Sequence, residues 1–302
     1  NKEKSVVYDE NENDCIDSFR TDMLLDYLDE KEKDQPFFFY MSYRISHVRE
    51  QYIRDKELYA DKDWSEKVRI YAARVTLLDI QVGRVLKKLE EISELDNTLV
   101  IFTSDNGAEH SWDLFDSTAG LRGKKRDMYE GGVRAPLLVY WKGKILPGAV
   151  SDHLSAAWDF MPTFAEVAGV ERPSRTDGIS MLPTLLGKNG QQKKHDYLYW
   201  EIQLDGWWHT MPKTGGFRQG VRKGDWKAVR YGSNQPTELY NLSSDEAEKK
   251  NVAKQHPEIV EQMEALFKDA RTETDGFPYG GVMQDMDAQD EYKGWIRPKP
   301  RQ

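Results

Sequence analysis

From Tyr71 to Ile92, apolar residues return at intervals of four and three: Tyr71, Val75, Leu78, Val82, Val85, Leu89 and Ile92. A helix is the structure that gathers such positions on one face. Arg74, Lys87, Lys88 and Glu90 fall on the other face. A coiled coil needs a longer seam with matching charges, so this helix is predicted to face a core. It is flanked by apolar runs too short to be helices themselves, Phe37-Phe38-Phe39-Tyr40-Met41 behind Pro36 and Leu99-Val100-Ile101-Phe102. Such runs suit strands covered on both faces, as in a parallel sheet. Residues 135–141 predict a further strand and 156–168 a helix. Residues 17–30 predict an amphipathic helix carrying Phe19, Met23, Leu24, Tyr27 and Leu28. Strands alternating with helices predict an α/β layer fold with crossover connections.

The pattern changes after Gly187. A polar linker leads to short strand candidates at 197–200, 218–222, 226–231 and 238–242, with Gly224-Asp225 as a hairpin turn. Asp245 is expected to cap a helix starting near Glu246. Residues 257–270 predict another helix, with Ile259, Val260, Met263, Leu266 and Phe267 inward. The expected division is an α/β domain over 1–192, a small α+β subdomain over 193–274 and an irregular tail over 275–302.

Composition narrows the function classes. Lys and Arg total 43 against 52 Asp and Glu, a net charge of −9 that argues against a general nucleic-acid surface. No apolar stretch reaches the roughly 20 residues of a membrane span. The single cysteine, Cys15, excludes an intrachain disulfide framework and a Cys-based zinc cluster. The chain opens at Asn1 with no basic-then-apolar leader, which predicts a processed protein or part of a longer polypeptide.

In α/β sheets, ligands gather at the carboxyl ends of strands. His47 and the series Thr103-Ser104-Asp105-Asn106-Gly107 follow two of the predicted strands. Asp105 and Asn106 offer hard oxygen donors suited to Ca²⁺ or Mg²⁺, and Gly107 lets the backbone turn tightly. The same tripeptide also reads as an ordinary turn. In Leu121-Arg122-Gly123-Lys124-Lys125-Arg126, four cations crowd together ahead of Tyr129-Glu130-Gly131-Gly132. They form either an anion clamp or a solvated basic loop. His47 and His110 are each a general acid–base group or a hydrogen-bonded structural residue. Taken together, a hard-metal pair, a cation cluster and a titratable His fit hydrolysis of an anionic ester.

The ordered series Pro36-Phe37-Phe38, His47, Thr103 to Gly107, Leu121 to Lys125 and Tyr129-Glu130-Gly131-Gly132-Val133-Arg134-Ala135-Pro136 strongly resembles the formylglycine-dependent sulfatases. Asp177-Gly178-Ile179-Ser180, Gly224-Asp225-Trp226-Lys227 and Glu238-Leu239-Tyr240-Asn241-Leu242 resemble that family's later markers, so the likeness runs from about 17 to about 270. It implies an alkaline-phosphatase-like mixed sheet flanked by helices. It also implies a divalent cation, usually Ca²⁺, with Asp105 and Asn106 among its ligands. Lys125 corresponds to the lysine that holds the sulfate, with Lys124 the adjacent competitor, and His47 to the acid near the leaving group. The setting of His47 departs from the family's Pro-His-x-Pro, reading Ser46-His47-Val48-Arg49. The resemblance implies attack on sulfur by a formylglycine hydrate, with Lys125 and the cation stabilising the sulfate oxygens and His47 protonating the departing alkoxide.

The family's nucleophile motif, Cys/Ser-x-Pro-x-Arg, has no match. Cys15 leads into Ile16-Asp17-Ser18-Phe19, and Glu171 stands at the nucleophile position before Pro173-Ser174-Arg175. The family's first Asp pair and its Gly-Lys-Trp-His motif are also missing. The chain is therefore expected to be the C-terminal part of a sulfatase, inactive alone, with the N-terminal portion of the same enzyme as partner. The implied compartment is the periplasm or the exterior. Trp207, Trp208 and His209, flanked by glycines, stack on a sugar ring or pack a hairpin; with His110, Arg122 and Lys124 they are the candidate contacts to a sulfated saccharide. The competing readings are a phosphatase or phosphodiesterase of the same superfamily and a non-catalytic saccharide-binding module.

Overall fold

The computed structural model describes residues 16–33, 35–44, 58–109, 114–203, 217–272 and 279. The backbone gathers into two compact units, one from Asn1–Val100 with Tyr140–Lys144, the other from Ile101–Val139 with Ile145–Gln302.

The first unit is a helical pair, α1 (Ile16–Glu30) and α2 (Glu66–Glu91). Leu24 and Leu28 of α1 meet Leu89 of α2, with Phe37, Met41, Val85 and Ile92 packed around them. Both helices form where expected, but their buried faces are rotated. In α1 the inward residues are Asp17, Ser18, Thr21, Leu24 and Leu28, while Met23 and Tyr27 are exposed. Polar bonds turn the helix this way: the Asp17 carboxylate accepts from Arg20 Nη1 at 2.8 Å and from the Arg44 amide at 2.6 Å. The Thr21 hydroxyl lies 3.0 Å from the Tyr43 hydroxyl. In α2 the expected stripe holds from Val85 onward. Before that, Ala73, Arg74, Leu77 and Gln81 are buried, while Val75 is exposed.

The run Phe37 to Met41 is not a strand, which corrects the sequence reading. Among the described residues no strand pairs with it, and Phe38 and Tyr40 stand 66% and 81% exposed. Phe37 and Met41 bury against the α1–α2 cluster instead. Two anchor residues, rather than a ladder, hold this segment.

β1 (Val100–Thr103) and, after the short helix α3 (Glu130–Val133), β2 (Leu137–Tyr140) form a two-stranded sheet. Helices α4 (Phe160–Val167) and α5 (Leu182–Leu185) follow.

The four later strands and the terminal helix form where predicted. β3 (Leu198–Gln203), β4 (Phe217–Lys223), β5 (Trp226–Tyr231) and β6 (Glu238–Asn241) make an antiparallel sheet in that order. Gly224, at φ +58°, closes the β4–β5 hairpin with Lys223 opposite Trp226. One face carries Val221, Ala228 and Leu239 against Met263 and Phe267 of α6 (Pro257–Asp269). The other carries Val229 and Tyr240 against Met128 and Tyr129. Both faces are covered, one by a helix and the other by the loop that precedes α3. The helix expected from Glu246 is a turn. Asp245 does cap it, accepting from the amides of Lys249 and Lys250 at 3.0 and 2.8 Å. Glu248 at φ +53° keeps the turn from continuing as a helix.

Candidate functional site

β1 delivers the chain into Ser104-Asp105-Asn106-Gly107, and two backbone bonds then stitch this turn to the basic loop. The Gly107 amide donates to Gly132 O at 3.0 Å, and the Lys125 amide donates to Ala108 O at 2.8 Å. The Arg126 guanidinium meets the Glu109 carboxylate at 3.2 Å beside them. The structure thus joins the backbone just after Asp105-Asn106 to the stretch that carries Lys124 and Lys125.

The contact is close enough to dictate residue type. A Cβ on Gly107 would lie 2.0 Å from Gly131 O; one on Gly131 would lie 2.6 Å from Arg122 O; one on Gly132 would lie 2.3 Å from Asp127 O. All three distances are shorter than any real side chain permits. Gly123 sits at φ +86°, and Arg126 holds φ +80° without being glycine. Backbone strain of that kind costs of order 1 kcal/mol and concentrates at functional sites.

The Asp105 carboxylate is exposed, and among the described residues it receives a single long contact, from Ser104 Oγ at 3.4 Å. Asn106 is half-buried. Arg126 and Arg218 are engaged internally, Arg218 with Asp127 at 3.0 Å. The ammonium groups of Lys124 and Lys125 have no ion-pair partner among the described residues. Hard oxygen donors and cations thus lie on adjoining stretches of backbone in an otherwise acidic protein.

Arg122 has a different position. Its guanidinium donates to the Tyr240 hydroxyl at 2.7 Å, to Glu248 O at 2.8 Å and to the Tyr129 hydroxyl at 2.9 Å. It also lies 3.8 Å from the Tyr129 ring centre. These contacts bolt the loop to the antiparallel sheet. His47, His110, Trp207, Trp208 and His209 lie outside the described residues.

Residues 1–170 match the family described as Sulfatase, and residues 120–273 match N-sulphoglucosamine sulphohydrolase, C-terminal. The chain belongs to the sulfatase family. It is similar to an N-acetylglucosamine-6-O-sulfatase of Bacteroides thetaiotaomicron, 33% identical over 74% of this chain and 40% of the relative. It is also similar to human arylsulfatase A, 31% identical over 79% of this chain and 49% of the relative. The crystal structure of Ps i-CgsB superposes with a TM-score of 0.70 at 25% identity, covering 88% of this chain and 55% of that one. The sulfatase chain described here thus spans about half the length of the relatives it matches. Its fold is the α/β, alkaline-phosphatase-like class expected from the sequence.

Several residues that hold the framework together escaped the sequence reading. Glu130, in the middle of Tyr-Glu-Gly-Gly, is almost wholly buried. It accepts from Lys227 Nζ and Arg222 Nη1, both at 2.9 Å. Burial pushes the Glu130 carboxyl up, but Lys227 and Arg222 outweigh it and hold it below its ordinary value. The signal was present: Lys227 shares a strand face with Val229, so a lysine was due to be buried there. The Asp177-Gly178-Ile179-Ser180 marker also has a structural reason. Buried Asp159 accepts the Ile179 amide at 2.8 Å, the Ala156 amide at 2.8 Å and His195 Nε2 at 2.9 Å. A Cβ on Gly178 would lie 2.0 Å from Trp158 O.

Proposed function

We propose that the polypeptide carrying this chain hydrolyses the sulfate ester of a sulfated carbohydrate. The observation that carries the reading is the stitching of Lys125 to the Asp105-Asn106 turn through Ala108 and Gly132. The tetrahedral oxygens of a sulfate ester suit an ammonium and a hard cation held close together.

Asp105 and Asn106 fit a hard divalent cation such as Ca²⁺ by donor chemistry, exposure and a fixed backbone. They make up part of the roughly 6–8 oxygen ligands such an ion takes. Among the described residues no group of three or more His, Cys, Asp or Glu completes the shell. The remaining ligands, and the formylglycine nucleophile the family implies, are proposed to come from polypeptide outside this chain. A cation bound here supplies positive charge against the sulfate oxygens.

The chain's own residues do the rest. Lys125 binds and orients the sulfate by charge-assisted hydrogen bonds. Gly107, Gly131 and Gly132 let the two loops close without side chains between them. His47 is assigned the proton that goes to the leaving oxygen. Trp207, Trp208 and His209 are assigned the sugar ring, in keeping with relatives named for sulfated amino sugars. Such substrates fit a periplasmic or secreted enzyme.

The test is sulfate release from 6-O-sulfated N-acetylglucosamine by the full-length polypeptide, set beside the matching phosphate ester. Lys125→Ala is expected to lower kcat/KM by about 10²-fold or more; Lys124→Ala should change it only a few-fold. Near-normal turnover by Lys125→Ala overturns the assignment, and preference for the phosphate ester overturns the reaction class.

A further inference from the structure

We propose that Glu248 is a positioning residue for the anion site, holding Lys125 and the Asp105-Asn106 turn in place through the Glu130 amide and the Arg122 guanidinium. What the site does rests on the sulfatase reading; how it is held does not.

Glu248 lies far along the chain from both loops, yet it grips the one that carries Lys125 at two points. Its Oε2 accepts the Glu130 amide at 2.7 Å, and its backbone oxygen accepts Arg122 Nη1 at 2.8 Å. From there the path is short and made entirely of backbone bonds. The Gly131 amide donates to Arg122 O at 2.8 Å, the Gly107 amide to Gly132 O at 3.0 Å, and the Lys125 amide to Ala108 O at 2.8 Å. Glycines without Cβ atoms line these crossings, so small displacements pass from one stretch of backbone to the next with no side chain to absorb them.

Glu248 also concentrates stability costs that stability alone would not retain. Its backbone is left-handed at φ +53°, a strained state for a residue with a side chain. Its Oε1 is buried with no hydrogen-bond partner among the described residues. Buried polar atoms left unpaired are rare and call for an explanation. Burial pushes its carboxyl up to about 7, with the Glu130 amide, Lys227 and Arg122 pulling it down and the Glu130 carboxylate pushing it up. Strain, a bare oxygen and a displaced acid meet at a residue that joins the far turn to the anion loop.

The experiment is peptide-level hydrogen exchange on the full-length polypeptide, with sulfate-ester kinetics alongside. Glu248→Ala is expected to speed exchange in segments 105–109 and 122–133 by about tenfold or more, leaving α4 and α6 at the wild-type rate. Glu248→Gln keeps an acceptor for the Glu130 amide and should restore protection. Where the wild type releases sulfate, kcat/KM should fall about tenfold or more in Glu248→Ala and recover in Glu248→Gln. Unchanged exchange at 105–109 in Glu248→Ala overturns the proposal. So does exchange that rises equally in α4 and α6, or a failure of Glu248→Gln to restore protection. A wild type inactive on every sulfate ester sinks the sulfatase reading, and the exchange result still decides the role of Glu248.

Discussion

The glycines of the site are the residues least open to replacement. Adding one methyl at Gly131 places it against the carbonyl oxygens of both Arg122 and Gly123, at 2.6 and 2.7 Å. Those oxygens belong to backbone, which cannot rotate away as a side chain would. Gly131→Ala is therefore expected to cost roughly 1–3 kcal/mol, the range for an overpacked site, read as a lower denaturant midpoint. At Gly143 a methyl would meet nothing within 4 Å beyond its own chain neighbours, so its cost would come from the positive φ alone. His195 offers a second test at this scale. Asp159 is fully buried, and His195 supplies one of its few donors. His195→Ala should cost roughly 1–3 kcal/mol through the under-bonded carboxylate. A denaturation midpoint unchanged from wild type would remove His195 from the framework.

At the scale of elements, the inward face of α6 was legible, and the faces of α1 and the first half of α2 were not. The 71–92 pattern marks α2, yet the buried line in its first half runs through Arg74 and Gln81 and leaves Val75 exposed. Apolar spacing predicts where hydrophobic contact is available; it does not register polar bonds such as those of Asp17 and Thr21, which rotate α1. The contrast can be measured. Leu89→Ala, in the cluster with Leu24 and Leu28, should cost about 2–5 kcal/mol. Val75→Ala, 44% exposed, should stay within about 0.5 kcal/mol. Equal effects would restore the face read from sequence. The same blindness accounts for the 37–41 run, because hydrophobicity marks burial and a strand also needs a partner. In the site, Asp105, Asn106 and Lys125 stood out as chemistry in unusual company. Glu130 and Glu248 did not, since their partners lie far away along the chain, 118 residues in one case and 92 in another.

For the molecule as a whole, the two buried glutamates give opposite dependences on pH. Glu130 is held below its ordinary 4.5, so it contributes stability above that value and loses it as pH falls through its lowered pKa. Glu248 is pushed from 4.5 up to about 7, so the folded state holds a proton that the unfolded chain releases. Its contribution is complete below pH 4.5 and declines as pH rises through about 7. The acidic chain gains negative charge over the same interval, which pushes stability the same way. A glutamine at 248 cannot ionise and removes only the first of these two effects. The free energy of unfolding of β3 to β6 in Glu248→Gln, measured against wild type, should therefore grow by roughly 1–3 kcal/mol between about pH 5 and 8. A gap that stays constant with pH would mean that Glu248 is ionised across the whole range, its bare oxygen met by a donor.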